Sequence, residues 1–292
     1  MSTILKCCRV VLAFVFVVAM FSLSVPNNAR AADPKSYVAL PDGTTGVLFY
    51  SYHRTADNQY RDGKRVNSNA DYDMNLQILR PVYYKEVGGY MTSVQALLPY
   101  GNVSVGSNNT VGTADPTLIV GFWPVADKSS KTWFAIAEYI TAPWGRYDER
   151  RPLNMGANRW GFRTEASLAK GFGKFFIDLT PSVEFYTDNS DYLYGGNYGR
   201  NLSTEPLYRM ETHLTYDFTE KFMLSLGHYY ERGGINETDG VRYGKRDNHA
   251  VQLTAGIRFA PKHQLLLQYL EDVKIENGFK RSQIGLRYFY VF

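Results

Sequence analysis

Along most of the chain, apolar and polar residues alternate with a period of two, in segments of about 10 to 15 residues. Residues 208–218 show the pattern most clearly. One parity carries Tyr208, Met210, Thr212, Leu214, Tyr216 and Phe218, and the other carries Arg209, Glu211, His213, Thr215 and Asp217. Because successive side chains of a strand point to opposite faces, the pattern predicts β-strands with one apolar and one polar face.

The connections between these segments alternate in length. Short turns are expected at 86–89, 126–131, 171–174, 219–221 and 260–263, and longer Gly- and Asn-rich stretches at 56–70, 101–114, 143–158, 188–203 and 232–246. Long outer loops and short periplasmic turns are typical of outer-membrane barrels. Twelve strands are predicted, at 46–55, 71–85, 89–100, 115–124, 131–142, 159–170, 173–187, 204–218, 221–232, 247–260, 263–273 and 280–292.

The predicted fold is therefore all-β, a transmembrane antiparallel up-and-down barrel of twelve strands that forms a single domain over residues 32–292. A soluble β-sandwich would also alternate, but here the polar faces mix Arg with Glu, and aromatic residues lie near the strand ends of the apolar faces. Such aromatic residues resemble the girdles at two membrane interfaces, which favours the membrane barrel.

Arg80 does not fit the alternation. It lies on the same parity as Tyr72, Met74, Leu76, Ile78, Val82 and Tyr84. Two explanations are open: the side chain extends to the interface from a strand end, or a β-bulge shifts the register at this point.

Residues 1–31 are predicted to be a cleaved secretory signal peptide. Lys6 and Arg9 precede an apolar run over 10–21, and Ala29 and Ala31 supply the small residues of a cleavage site before Ala32. Both cysteines, at positions 7 and 8, fall in this segment, which excludes a disulfide scaffold and a cysteine enzyme for the mature chain. Removal of its three basic residues leaves 29 basic and 28 acidic residues, a net charge of +1 that indicates no nucleic-acid partner.

The C-terminal strand ends in an aromatic residue. Phe292 shares its parity with Tyr290 and Tyr288, a pattern that outer-membrane barrels present to the barrel assembly machinery. We therefore expect location in the outer membrane of a Gram-negative-type bacterium, with membrane lipid and the assembly machinery as partners. The sequence leaves the oligomeric state open.

If the polar parity faces the lumen, a row of charged side chains lines the barrel. The candidates for lining and selectivity are Arg163, Glu165, Asp178, Glu184, Arg209, Glu211, His213, Asp217, Arg258, Arg281 and Arg287. Twelve strands lie between the roughly eight at which side chains fill a barrel and the roughly 16 of open channels. Two states are thus possible: charges that select permeants in a narrow pore, or charges that pair with one another in a closed interior.

No catalytic or metal-binding pattern is present. The sequence lacks Gly-x-Ser-x-Gly and His-Glu-x-x-His, and neither a cofactor nor a metal is expected. His228 and His249 lie on the apolar parity near the outer strand ends, where a lipid-hydrolysing site could lie, but the nearest strand serine, Ser225, has the opposite parity. The chain is predicted not to be an enzyme.

Three segments resemble motifs of a known family: Gly-Thr-Ala-Asp-Pro-Thr-Leu-Ile-Val-Gly-Phe-Trp at 112–123, Thr-Ala-Pro-Trp-Gly-Arg-Tyr-Asp at 141–148 and Leu-Asn-Met-Gly-Ala-Asn-Arg-Trp at 153–160. They are similar to the outer-membrane β-barrel transporters called the putative meta-pathway phenol-degradation family, and the resemblance extends from about residue 40 to the C-terminus. Thr113-Ala114 before Asp115, and Trp144, depart from the usual pattern. The resemblance implies an outer-membrane barrel that passes hydrophobic or aromatic compounds.

Three functional hypotheses follow. The leading one is a porin-like channel for passive passage of small solutes. The alternative is a plugged barrel with a structural or surface-interaction role, which an inward-folded loop or an inward-folded N-terminal segment (Asp33 to Thr45) would produce. A barrel lipid hydrolase is a distant third.

Overall fold

The computed structural model describes residues 32–292 and a two-residue strand, Leu23–Ser24, which pairs in parallel with Leu153–Asn154. The rest of the predicted signal peptide lies outside the described residues, and its cleavage stays a prediction. Twelve long strands make up the barrel: β1 (Thr45–Arg61), β2 (Tyr72–Val87), β3 (Tyr90–Val105), β4 (Thr117–Asp127), β5 (Thr132–Thr141), β6 (Gly161–Phe172), β7 (Phe175–Tyr186), β8 (Leu207–Asp217), β9 (Phe222–Gly233), β10 (Arg246–Ala260), β11 (His263–Lys274) and β12 (Gly278–Val291).

Each strand pairs antiparallel with its sequence neighbour, and β12 pairs with β1 from Gly46↔Val291 to Tyr60↔Gly278. This last ladder closes the sheet, so the predicted twelve-stranded up-and-down barrel is confirmed. Closure satisfies the backbone hydrogen bonds that an open sheet edge would expose to lipid. Within residues 32–292 no helix is long and apolar enough to cross a membrane.

Several stretches predicted as loops contain short strands. Lys64–Asn67 extends the β1 hairpin and Asn108–Thr113 extends β3. Asn189–Tyr194, Asn197–Thr204, Asn236–Thr238 and Val241–Tyr243 form a separate four-stranded sheet above the barrel. The prediction therefore ended β1 and β3 too early, because the alternation weakens where a strand leaves the membrane and both of its faces meet water.

The alternating faces point in opposite directions on the barrel wall. In β8, Tyr208, Met210 and Leu214 are exposed on the outside, whereas Arg209 and His213 are buried inside. The same holds around the barrel, and it places an apolar surface towards lipid.

In β2 the inward face is the apolar one. Met74, Leu76, Ile78 and Val82 are buried in the lumen, and Arg80 shares their inward direction. Both explanations offered for Arg80 are therefore wrong: it neither extends to an interface nor marks a bulge. Its Nε donates to Gln95 Oε1 (2.8 Å) across the β2–β3 pair.

Candidate functional site: the lumen and its N-terminal plug

One wall of the lumen is polar. It is formed by β6 to β12, and the buried side chains that it contributes include Arg163, Glu165, Asp178, Thr180, Glu184, Arg209, Glu211, His213, Thr215, Gln252, Gln268 and Arg287. Arg209 lies between Glu184 and Glu231, with its Nε 3.2 Å from the Glu231 carboxylate. The Arg163 Nε is 3.3 Å from Glu165. These charges therefore compensate one another at close range, as buried charges generally do.

The opposite wall is apolar and aromatic. It is formed by β1 to β5, whose buried side chains include Tyr50, Tyr52, Met74, Leu76, Ile78, Val82, Tyr84, Ile119, Trp123, Trp133 and Tyr139. The Tyr84 and Trp123 rings lie 5.5 Å apart. The Arg163 guanidinium lies 4.0 Å from the centre of the Tyr139 ring and joins the two walls by a cation–π contact.

Residues 32–44 precede β1 and fold into the lumen; we call them the plug. Ala32 and Asp33 are buried, and two turns follow, with Ser36 N–H donating to Asp33 C=O (3.0 Å) and Val38 N–H to Lys35 C=O (3.1 Å). Lys35 adopts φ +62°, a left-handed conformation that costs an ordinary residue about 1 kcal/mol. Contacts with the barrel therefore hold the turn in place.

The plug is bound to the polar wall by its charges and backbone. The Ala32 N–H donates to Glu211 Oε2 (3.1 Å) and the Lys35 N–H to Asp178 Oδ2 (3.1 Å). The Lys35 Nζ pairs with both carboxylate oxygens of Asp217, at 2.5 and 2.7 Å. The start of the plug is thus fixed to β7 and β8.

Asp33 connects the plug to the strands that close the barrel. Its carboxylate accepts hydrogen bonds from Arg287 Nη1 (3.0 Å), Gln268 Nε2 (2.8 Å) and the Tyr50 hydroxyl (3.2 Å). Burial alone would raise the pKa of Asp33, but the charges of Arg287 and Arg80 and the bond from Gln268 together hold that pKa below its ordinary value. Asp33 is therefore bound as a carboxylate.

Tyr37 binds the plug to both walls. Its carbonyl accepts the Trp123 indole N–H (2.9 Å), and its hydroxyl lies 3.2 Å from the Tyr139 hydroxyl and donates to Glu165. The Tyr37 ring is also part of the buried cluster formed by the apolar wall.

Cavities remain on either side of the plug. A vestibule of about 540 Å³ opens towards the short turns and is lined by Lys35, Arg80, Arg258, Arg287 and Lys262, together with Tyr and aliphatic side chains. On the loop side, a cavity of only about 20 Å³ lies between Ile78, Tyr139, Arg163 and Glu184. That volume holds about one water molecule.

Most of the predicted lumen residues are buried inside the barrel, and three of them have other surroundings. Arg163, Glu165, Asp178, Glu184, Arg209, Glu211, His213 and Arg287 are buried inside the barrel. Arg258 is exposed and lines the vestibule, beside a register shift in the β10–β11 pair. Of the remaining two, Asp217 binds Lys35, and Arg281 pairs with Asp272 at 3.0 Å. The prediction missed the apolar wall, and the only sign of that wall in the sequence was Arg80 on an apolar parity. The inward-folded segment Asp33 to Thr45 is one of the alternatives that the sequence raises, but the roles of Asp33, Lys35 and Tyr37 in binding the walls were not predicted.

The residues considered for lipid hydrolysis do not come together. His228 and His249 are hydrogen-bonded to each other at 3.2 Å on the outer face, whereas Ser225 is buried in the lumen and hydrogen-bonded to Thr215 (2.9 Å). Nucleophilic catalysis needs serine and base within hydrogen-bond reach. Across residues 32–292, no group of three or more His, Cys, Asp or Glu side chains could hold a metal ion.

The three motif segments meet above the lumen and form what we call the clasp (Asp115 with residues 142–160). The Asp115 carboxylate accepts the N–H of Gly145 (2.8 Å) and of Ala157 (2.7 Å). A Cβ at Gly145 would lie 2.7 Å from the Asp115 backbone nitrogen, and one at Gly156 would lie 2.9 Å from Asp115 Oδ1, so both positions require glycine. Burial raises the pKa of Asp115.

Comparison with solved structures supports the barrel and its location. An outer-membrane channel from Pseudomonas putida F1 is 30% identical, with a TM-score of 0.85 over 89% of this chain and 100% of that one. More distant barrels are the monoaromatic hydrocarbon channel CymD (9% identity, TM-score 0.49, 94% of each chain) and the translocator domain of autotransporter NalP from Neisseria meningitidis (12%, 0.48, 87% of this chain and 91% of that one). The match to the Pseudomonas channel confirms the predicted outer-membrane location.

In sequence, no curated protein is significantly similar to this chain. A family model described as "Putative MetA-pathway of phenol degradation" matches residues 55–288. That range includes all three motif segments and parts of all twelve strands. The chain therefore belongs to the family described as "Putative MetA-pathway of phenol degradation", as its motifs predicted.

Proposed function

We propose that this chain is a porin-like outer-membrane channel for small amphipathic aromatic solutes, which pass passively through the lumen when the plug is displaced. The division of the lumen into an apolar aromatic wall and a polar charged wall carries the proposal. A solute with an aromatic ring and a polar substituent can contact both walls at once, because rings pack against Tyr and Trp while the polar group finds a hydrogen-bonding partner.

The vestibule supports this choice of solute. Arg80, Arg258 and Lys262 line it beside Tyr50, Tyr84 and Leu48. Positive charges beside aromatic rings favour a solute whose polar group is anionic or accepts hydrogen bonds, such as a phenol or an aromatic carboxylate. Its volume of about 540 Å³ is in the range of small-molecule sites.

The plug also favours a second candidate, a permanently closed barrel with a structural role. Its hydrogen bonds reach both walls, and the cavity beyond it holds about one water molecule. The channel proposal requires these contacts to break reversibly, whereas the structural proposal requires them to persist.

Deletion of residues 32–40 separates the two candidates. Because Gly43 and Thr44 form the backbone hydrogen bonds with Tyr84, the deletion leaves the start of β1 intact. In a planar lipid bilayer, we expect rare brief conductance steps from the chain 32–292 and long-lived openings from the deletion variant, with blockade by an added phenol or benzoate. Silence from both correctly refolded proteins would contradict the channel and support the closed barrel.

We further propose that the chain has no catalytic role, since Ser225 is separated by the barrel wall from His228 and His249.

The barrel assembly machinery is proposed to recognise the end of β12, where the Phe292 side chain is 65% exposed on the outside and its ring centre lies 5.0 Å from that of Tyr290. Substitution of Phe292 by Ser is expected to lower the amount of barrel in the outer membrane without changing refolding in detergent.

A further inference from the structure

Both charges at the start of the plug meet an opposite charge on the barrel wall. The Asp33 carboxylate pairs with Arg287, and the Lys35 ammonium pairs with Asp217. Two buried wall carboxylates accept only a backbone N–H from the plug: Asp178 from Lys35, whose ammonium also acts on it, and Glu211, which is 2% exposed, from Ala32 through Oε2 at 3.1 Å. Glu211 is therefore the one of these two that no positive charge of the plug acts on.

Glu211 has an unused acceptor. Its Oε1 is buried and accepts no hydrogen bond from the residues that the structure describes. The nearby Glu165 carboxylate adds negative charge at this level of the lumen, and the charges of Arg163 and Arg209 act on Glu211 in the opposite direction. Neither guanidinium forms an ion pair with Glu211, since Arg163 pairs with Glu165 and Arg209 with Glu184 and Glu231. A buried carboxylate without a hydrogen-bonded cation is costly, so the pattern of the other two pairs indicates that a positive charge is missing beside Ala32.

Cleavage of the signal peptide would supply that charge. Hydrolysis of the Ala31–Ala32 peptide bond by a signal peptidase breaks the C–N bond, leaves the water oxygen on the Ala31 carboxylate and converts the Ala32 nitrogen into an α-ammonium. That nitrogen already lies 3.1 Å from Glu211 Oε2. An ammonium carries three N–H donors, enough to bind both carboxylate oxygens.

We propose that Ala32 is the first residue of the mature chain and that Glu211 is the binding site of its α-ammonium, so that processing itself locks the plug. Only one part of this inference rests on the proposed function, namely that binding of the α-ammonium keeps the channel closed. The site and its occupant are defined by Ala32 and Glu211 alone, and they can be tested without any conductance measurement.

The test compares the reactivity of the Ala32 α-amine in the refolded mature chain with its reactivity in the denatured chain. The protein is exported from a bacterial host so that its N-terminus is natural, and is treated with acetic anhydride; mass spectrometry then compares acetylation of Ala32 with that of the exposed Lys221. The rate of Ala32 acetylation is divided by the rate of Lys221 acetylation in the same sample. We expect this ratio to be at least ten times lower in the folded chain than in the denatured chain. Glu211→Gln is expected to remove most of this protection.

The control is Glu205→Gln, at an exposed glutamate that pairs with Arg242 outside the barrel; it should leave protection unchanged. If Glu211→Gln fails to refold, Glu211→Asp keeps the charge but withdraws it by one methylene, and partial protection is expected. An N-terminus other than Ala32, or equal reactivity of Ala32 in folded and denatured protein, would overturn the proposal.

The consequence for the channel is measured separately. Acetylation confined to the Ala32 α-amine, carried out before refolding at a pH that keeps the lysine amines, Lys35 included, protonated, keeps an N–H donor but removes the charge. It is expected to raise the frequency of openings at least tenfold. In Glu211→Gln the same acetylation should change nothing. If neither form conducts while Ala32 remains protected, the ammonium site stands and the channel proposal fails.

Discussion

The two walls of the lumen are built by the same strand geometry, yet they differ in what they require of the chain. The wall of β6 to β12 buries mainly Arg, Glu, Asp and His, which require a partner, whereas the wall of β1 to β5 buries mainly Tyr, Leu, Ile and Trp, which need only be packed. Arg54 and Gln95 are buried polar exceptions on the second wall. A missing partner is therefore costly on the first wall, and a missing methyl group on the second. The plug reflects this division, since ion pairs bind it to one wall and Tyr37 packs it against the other.

The largest effect should come from breaking the polar wall. Arg209→Met leaves the buried carboxylates of Glu184 and Glu231 without their shared cation. Removal of one partner of a buried pair costs about 3–5 kcal/mol. We expect the free energy of unfolding to fall by that amount in urea titrations. Arg200→Met, at an exposed arginine near Asp239, is the control and should change it by less than about 0.5 kcal/mol.

Asp33→Asn should loosen the plug from this wall. The variant removes the charge that Arg287 binds and keeps the shape of the side chain. A loss of about 3 kcal/mol corresponds to an increase of roughly 100-fold in the population of displaced plug, which the open probability in bilayer recordings measures. Asp239→Asn, at an exposed aspartate that lies near Arg200 outside the barrel, should not change it. An unchanged open probability in both variants would mean that Asp33 does not hold the plug.

On the apolar side, Gly145→Ala tests whether the clasp stabilises the lumen wall beneath it. Leu153 and Met155 of the clasp belong to the same buried cluster as Ile78 and Tyr139. The new Cβ would lie 2.7 Å from the Asp115 backbone nitrogen, and overpacking of this kind costs about 1–3 kcal/mol. Gly161→Ala is the matched control, because its Cβ would meet nothing closer than 3.5 Å. Equal urea midpoints for the two variants would contradict the clasp.

A smaller change is expected from Trp123→Phe. It removes the N–H that binds the Tyr37 carbonyl and leaves a ring against the apolar wall. The lost hydrogen bond is worth about 1 kcal/mol, or roughly a fivefold rise in open probability. Trp133→Phe, on the same wall against Phe176, is the control. A larger effect from Trp133 would show that packing rather than the hydrogen bond holds Tyr37.

The smallest effect should follow Arg258→Gln in the vestibule. Arg258 is exposed, so stability should change by less than about 0.5 kcal/mol. In plug-deleted protein we expect a reduced preference for anions, measured as a shift in reversal potential under a salt gradient. Lys128→Gln, on an exposed turn, should leave the reversal potential unaltered.

Sequence alone predicted the strand number, the closure of the sheet and the direction of the polar parity in β8, because a charged row cannot face lipid. In β2 both sets of alternating side chains include apolar residues. Alternation shows which residues share a face of the strand, but it does not show which face points into the lumen. The structure gives the direction: the half-buried Arg80 points into the lumen and binds Gln95 there, although on sequence grounds it was an exception to the alternation. The sequence raises an inward-folded segment from Asp33 to Thr45 as one alternative. Its contacts lay beyond prediction, because residues without periodicity bind partners contributed by distant strands.

The plug joins the barrel at Thr45, on the side of the short turns, which in this class of protein faces the periplasm. Thirteen residues span at most about 45 Å when extended. A released plug would thus remain tethered at the inner rim, within reach of molecules on the cell side. A force applied from the periplasm would draw the plug out of the lumen. A force applied from outside the cell would have to move the plug past Thr45, where it is attached to β1. Displacement of the plug would therefore be controlled from the periplasmic side of the membrane.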